Sequence, residues 1–179
     1  MRVGEGVEWG LHCCAILTGL PSDGSLSASR LAEYHGVPGA YLAKHLQALA
    51  QAGVIQSSPG RTGGYRLARP ASEISILDVV EAIEGAEPHF RCAEIRRRGA
   101  ARHLPAAAFP SRCGIAHAME RAEAAWRREL SRQTIQDLVR HFLRGTDPRV
   151  RACARDWIAG VLRPGTPRKT TITRRQEQR

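Results

Sequence analysis

A chain of 179 residues with 27 Lys and Arg against 17 Asp and Glu, a formal net charge of +10, has a polyanion as its natural partner, because each phosphate neutralised by Lys or Arg releases a condensed counterion. No apolar run approaches the roughly 20 residues of a membrane span and the N-terminus lacks a signal-peptide core, so a cytoplasmic protein that does not engage a membrane is expected. Nor does the sequence carry a nucleotide loop, a nucleophile elbow or a His-rich hydrolase motif, which argues against an enzyme. The basicity is uneven: half of the surplus lies from Arg163 onward, where a solvated tail explains it as well as a binding surface does. The five cysteines, Cys13, Cys14, Cys92, Cys113 and Cys153, are odd in number and thinly spread, which favours reduced thiols or metal ligands over a disulfide framework.

In chain order, apolar positions at Val7, Leu11, Cys14, Ala15 and Leu17 predict a helix over about Val7 to Leu20, closed by Pro21 and Gly24. A short helix follows between a Ser27 cap and a left-handed Gly36. After the hinge Gly36-Val37-Pro38 a further helix runs to about Ala52 on a Leu42, Leu46, Leu49 seam, with Gly53 as its stop. Two short helices around a tight turn form the helix-turn-helix pattern. Val54-Ile55-Gln56 and Tyr65-Arg66-Leu67 then read as strands of a two-stranded wing around a Gly, Ser and Pro-rich tip. Ser75 and Asp78 stand three apart like a capping box opening a helix that Gly85 ends. Residues 86–112 lack a hydrophobic period and form a long loop holding Cys92. One long helix is expected from Cys113 to Leu143, with Ile115, Met119, Trp126, Leu130, Ile135, Leu138 and Phe142 as a dimer seam. A last helix over Val150 to Leu162 precedes a tail expected to be disordered.

The expected fold is therefore mainly α, with four parts. Residues 1–85 form a winged helix-turn-helix domain, 86–112 a loop, 113–145 a dimerisation helix and 146–179 a C-terminal extension. In such a domain the second helix enters the major groove, so Tyr41, Lys44, His45 and Gln47 are the candidate base and phosphate readers, although an ordinary amphipathic helix has the same polar face. Arg61, Thr62 and Gly63 at the wing tip suit a minor groove beside phosphates. The partner would be a double-stranded DNA operator, read by a homodimer.

Five segments together, Leu31-Ala-Glu, Tyr41-Leu-Ala-Lys, Leu49 to Val54, Gly63 to Arg69 and Ile76 to Gly85, resemble the Rrf2 family of winged-helix regulators from about Val7 to Leu143. Two positions depart from its pattern: Pro38 opens the recognition helix where a small polar residue is usual, and Pro59-Gly60 stands where the wing commonly reads Arg-Gly. Arg61 then carries more of the wing's work. The resemblance implies an iron-sulfur cluster bound through cysteines of the loop, here Cys92 and Cys113. The block Val7-Glu-Trp-Gly-Leu-His-Cys-Cys14 resembles the redox-sensing, RsrR-like members, which implies Glu8 and His12 of the other subunit as the remaining ligands of a 2Fe-2S cluster. The loop lacks the third cysteine of a 4Fe-4S site. On this reading the protein is a redox-responsive transcription regulator, and Trp9 is a candidate switch between ligands and DNA.

Plainer readings stand beside it. Glu8 and His12, four apart, would share a solvated helix face, and Trp9 a core or interface. Cys92 and Cys113 would form a reversible disulfide, or join His89 and His117 in a single-chain zinc site. The regulator would then be a cluster-free or thiol-switch dimeric repressor answering to a ligand or partner protein.

Overall fold

The computed structural model describes residues 3–60 and 63–162 of the chain. The elements run α1 (Glu5–Leu17), α2 (Ala28–His35), α3 (Gly39–Gln51), β1 (Ile55–Ser58), β2 (Gly64–Leu67), α4 (Ile76–Glu84), α5 (Gly114–Arg132), α6 (Ile135–Gly145) and α7 (Pro148–Leu162). The mainly helical winged helix-turn-helix is as expected. The wing tip residues Arg61 and Thr62, and the tail from 163 on, lie outside the described residues.

The core is a seam of Leu31, Leu42, Leu46, Leu49, Ile55, Ile74 and Val79, with Cys13, Cys14 and Leu17 supplied by α1. Each such aliphatic side chain withdrawn from water contributes about 1.5–3 kcal/mol. Close approach of α1 to the domain depends on two glycines. A Cβ at Gly10 would meet the Ile83 Cδ1 at 2.6 Å, and one at Gly6 would meet the His45 ring at 2.4 Å. The N-terminal helix is therefore seated directly on α3 and α4.

The helix-turn-helix has the terminal signals the sequence carries. Ser27 Oγ accepts from the Arg30 amide at 3.3 Å, and Gly36 ends α2 at φ 66°, a left-handed conformation that costs Gly little. The wing is a two-stranded antiparallel sheet in the register Ile55↔Leu67 to Ser58↔Gly64. Leu26 and Tyr65 exchange backbone hydrogen bonds of 3.0 and 2.8 Å, tying the wing to the entrance of α2. Gly64 is required there, since a Cβ would lie 2.6 Å from the Leu26 carbonyl.

The segment expected as one helix from Cys113 to Leu143 is two. The chain leaves the helical conformation at Gln133 and Thr134, and Thr134 opens α6 with a full capping box on Asp137. Ser75 and Asp78 form the same box at α4. The two caps lie back to back: Ser75 and Thr134 form an antiparallel bridge, with Ile76 N donating to the Gln133 carbonyl at 2.8 Å and Ile135 N to the Ile74 carbonyl at 2.9 Å. This pairing satisfies amide donors at both helix starts and turns α6 back so that Ile135 is buried in the core beside Leu138 and Val139. Among the described residues no helix is long and apolar enough to cross a membrane.

Candidate nucleic-acid interface and thiol site

The recognition helix α3 presents Tyr41, 64 % exposed, with Lys44 and Gln47 also exposed. His45 differs from the expectation of an outward-facing reader. It is half-buried, its ring set against the α1 backbone at Gly6. Trp9 of α1 completes an aromatic trio: its ring lies 6.3 Å from Tyr41 and 6.1 Å from His45, both edge-on at 79°, while Tyr41 and His45 are 5.9 Å apart. Gly63 is half-buried at the base of the wing tip, donating to the Gly60 carbonyl at 2.9 Å. A Cβ there would be only 2.2 Å from the Ser58 carbonyl oxygen.

Glu8 and His12 are exposed one turn apart on α1, on the wall of a groove of about 1020 Å³ that α2, α6 and α7 complete. The His12 ring is 5.7 Å from His35. Burial first, and then the nearby His12, push the His35 pKa down, so His35 stays neutral at pH 7.

The two loop cysteines come together. Cys113 is the residue that opens α5, with its Sγ accepting from the Ala116 and Ile115 amides and in hydrogen-bonding reach of Cys92. These amides, the first of the helix, hold the Cys113 pKa below the ordinary thiol value, with Cys92 and Arg96 adding to the effect against the burial of the side chain. The 3-10 turn at Ile95–Arg97 brings Arg96 across the loop, where its guanidinium forks onto Glu94. Cys13 and Cys14, by contrast, are buried among α1 and the core leucines, and burial pushes both thiols up to about 12. They are inert packing residues. Among the described residues no three His, Cys, Asp or Glu side chains of one chain converge. The zinc set of His89, Cys92 and His117 is therefore not assembled; His89 instead pairs with Glu123 and packs edge-on against Trp126 at 5.3 Å. Glu8 and His12 likewise do not meet the two thiols within a chain.

A family model described as an iron-dependent transcriptional regulator, Rrf2, matches residues 3–141. The chain belongs to the Rrf2 family. Protein aau3 of Rhizobium meliloti (strain 1021) is 36 % identical over 68 % of this chain and 77 % of its own length. YwgB of Bacillus subtilis (strain 168), named as an HTH-type transcriptional regulator, is 34 % identical over 48 % of this chain, which spans only 54 % of YwgB. Among solved structures, CymR, titled the global cysteine regulator of B. subtilis, superposes with a TM-score of 0.59 at 21 % identity, covering 82 % of this chain and 99 % of that one. IscR of T. potens gives 0.55 at 20 % identity, covering 79 % and 88 %. At such identities these two show the shared fold. The chain is thus a member of a family of transcriptional regulators, and its named relatives are regulators rather than enzymes.

Helix α7 lies beyond the Rrf2 match and packs on its body through Trp157, 4.7 Å from Tyr34. Sequence reasoning missed Arg96, one of several arginines in a loop without period, and nothing in its spacing separates it from Arg97 or Arg98. It also missed Arg69, whose guanidinium bonds Asp78 at 2.8 Å, the Gly53 carbonyl at 3.0 Å and the Glu73 carbonyl at 3.0 Å, locking the wing to α3 and α4.

Proposed function

We propose that this Rrf2 regulator is a homodimer that senses redox state through a 2Fe-2S cluster, held by Cys92 and Cys113 of one subunit and Glu8 and His12 of the other. The observation that carries the reading is the pair of adjacent thiols at the start of α5, one of them poised toward thiolate by helix amides. The donor set fits. Two thiolates leave two positions open, and the remaining oxygen and nitrogen donors, exposed one turn apart on α1, do not converge with the thiols within one chain, so a second copy would have to supply them. Exposed Ile115 and Met119, four apart on α5, supply an apolar seam for that copy.

When bound, such a cluster supplies one-electron redox chemistry, at a potential raised by imidazole in place of thiolate. The chain's own residues do the rest. His12 and Glu8, one turn apart on α1, would hold the group, so a change in either bond would displace α1. Trp9, next to Glu8, passes the shift to Tyr41 and His45 on the recognition helix, altering how Lys44, Tyr41 and the wing residues Arg61, Thr62 and Gly63 meet an operator. The RsrR-like arrangement of Glu8, Trp9 and His12 supports this route.

Protein purified without oxygen should absorb in the visible, contain iron and sulfide in equal amounts, and lose both in Cys92→Ala or Cys113→Ala. His12→Ala should shift the midpoint potential; an unchanged spectrum and potential would remove His12 from the ligand set. A second reading is favoured by the same thiol contact: Cys92 and Cys113 as a reversible disulfide in a thiol-switch repressor. Colourless, iron-free protein whose operator affinity follows thiol oxidation would establish that reading instead.

A further inference from the structure

The loop from Cys92 to Cys113 has little regular structure to hold its ends together: three short 3-10 turns and no strand pairing. Its two ends are nevertheless adjacent, and one side chain spans them. Arg96 Nε donates to Glu94 Oε1 at 2.5 Å and Arg96 Nη2 to Glu94 Oε2 at 2.9 Å, a bidentate fork. The same Nη2 donates to the Ser111 carbonyl at 3.0 Å, two residues before Cys113. Glu94 in turn is the one non-glycine residue with a positive φ, 46°, among the described residues, and its amide donates to Cys92 Sγ at 3.4 Å. The guanidinium also lies 5.7 Å from the centre of the Phe109 ring. Arg96 and Glu94 are only about a third exposed, 32 % and 34 %, so the fork is partly shielded from water.

A left-handed Glu costs energy that the surroundings must supply. What it obtains here is an amide aimed at Cys92 and a carboxylate aimed at Arg96. We infer that Arg96 is the positioning residue of the thiol site: through Glu94 on one side and Ser111 on the other it holds Cys92 and Cys113 at ligand spacing, so that half of the metal site exists before any metal arrives. The inference builds on the proposed cluster but does not need one to be tested. A guanidinium is suited to the task because its planar fork fixes a carboxylate and a carbonyl at once, which an ammonium does not.

The test uses the full-length, metal-free protein equilibrated with glutathione. In this exchange Cys92 and Cys113 lose two protons and two electrons to form one disulfide, and one glutathione disulfide is reduced to two glutathione thiols. The equilibrium constant measures the effective concentration of one thiol at the other. Arg96→Met and Glu94→Gln should each lower it about tenfold, the equivalent of about 1.4 kcal/mol, and Arg96→Lys should fall with them because it lacks the fork. In cluster-loaded protein the order changes: Arg96→Met should lower the midpoint potential by removing a cation that favours the reduced form, whereas Arg96→Lys should keep it near that of the parent. That split separates the charge of the side chain, which Arg96→Lys keeps, from its fork, which both variants lose. Unchanged thiol coupling in both Arg96→Met and Glu94→Gln, with thermal unfolding unaltered, would overturn the inference. Loss of coupling in a protein that never takes up iron would leave the inference standing and defeat the cluster reading.

Discussion

The indole of Trp9 on α1 meets the phenol of Tyr41 on the recognition helix edge-on, their centroids 6.3 Å apart and their planes at 79°. Glu8, the residue before it, is exposed on the groove wall, so one short stretch of α1 touches both the proposed ligand face and the groove-reading helix. Trp9→Ala should leave iron content and visible absorbance intact while bringing the operator affinities of the oxidised and reduced protein close together. Aromatic pairs of this geometry are worth about 0.5–1.5 kcal/mol beyond buried area, and Trp9→Ala also removes the area that Trp9 buries, so a loss of stability larger than one such pair is expected. Trp9→Phe should preserve much of the redox response. Anisotropy titrations of a labelled operator in each redox state would measure the ratio.

Lys44 is exposed on α3 one turn beyond Tyr41 and has no acidic partner among the described ion pairs. Lys44→Ala should weaken binding to all sequences alike and make the slope of log affinity against log salt shallower by about 1. A selective loss at one base pair, with the slope unchanged, would instead assign Lys44 to base readout.

The back-to-back caps at Ser75 and Thr134 predict a local lesion with a distant consequence. Thr134→Ala removes the hydroxyl that accepts from the Asp137 amide at 3.2 Å and should cost about 1 kcal/mol, lowering Tm by about 2–4 °C in a chain of this size. The Thr134 and Asp137 bonds also hold the Asp137 pKa below its ordinary value. A lowered carboxylate pKa gives stability that is present above the unfolded value and lost as pH falls through the folded one. Acid should therefore destabilise the parent relative to Thr134→Ala, narrowing the gap between them.

That junction also shows what was legible in the sequence and what was not. The helix-turn-helix was readable because Ser27, Gly36 and Gly53 mark its ends chemically, and the α4 cap because Ser75 and Asp78 stand before a clear break. The break at Gln133 was missed because Leu130, Ile135 and Leu138 keep a helical spacing through it. Periodicity records which face is buried, not whether the helix axis turns, and here Thr134-Ile-Gln-Asp137 carried the signal unread. His45 was misjudged for a related reason: its polarity fits the outer face of α3, but the absent side chain of Gly6, distant in sequence, makes room for it against α1. The adjacency of Cys92 and Cys113 came from family resemblance. The clamp that keeps them adjacent depends on a left-handed Glu94, which no local pattern announces.

The cysteines divide into two classes by environment, and pH should separate them. In metal-free protein the Cys113 thiolate is favoured by helix amides although its side chain is buried, so once the loop opens its alkylation should persist to lower pH than that of an ordinary thiol, with Cys13 and Cys14 unmodified until the whole chain unfolds. Mass spectrometry of iodoacetamide-treated protein across a pH series would score each site. Stability should respond with the opposite sign at the buried pair. Burial raises Cys13 and Cys14 to about 12, whereas unfolded thiols ionise near about 8.5. Their contribution is intact below the unfolded value and declines as pH climbs toward the folded one, by up to about 1.4 kcal/mol per pH unit for each thiol. Cys13→Ala should flatten that alkaline decline by roughly one thiol's share while lowering stability at neutral pH through the cavity left in the core. An alkaline decline unchanged by Cys13→Ala would mean that other groups set the upper pH limit of the fold.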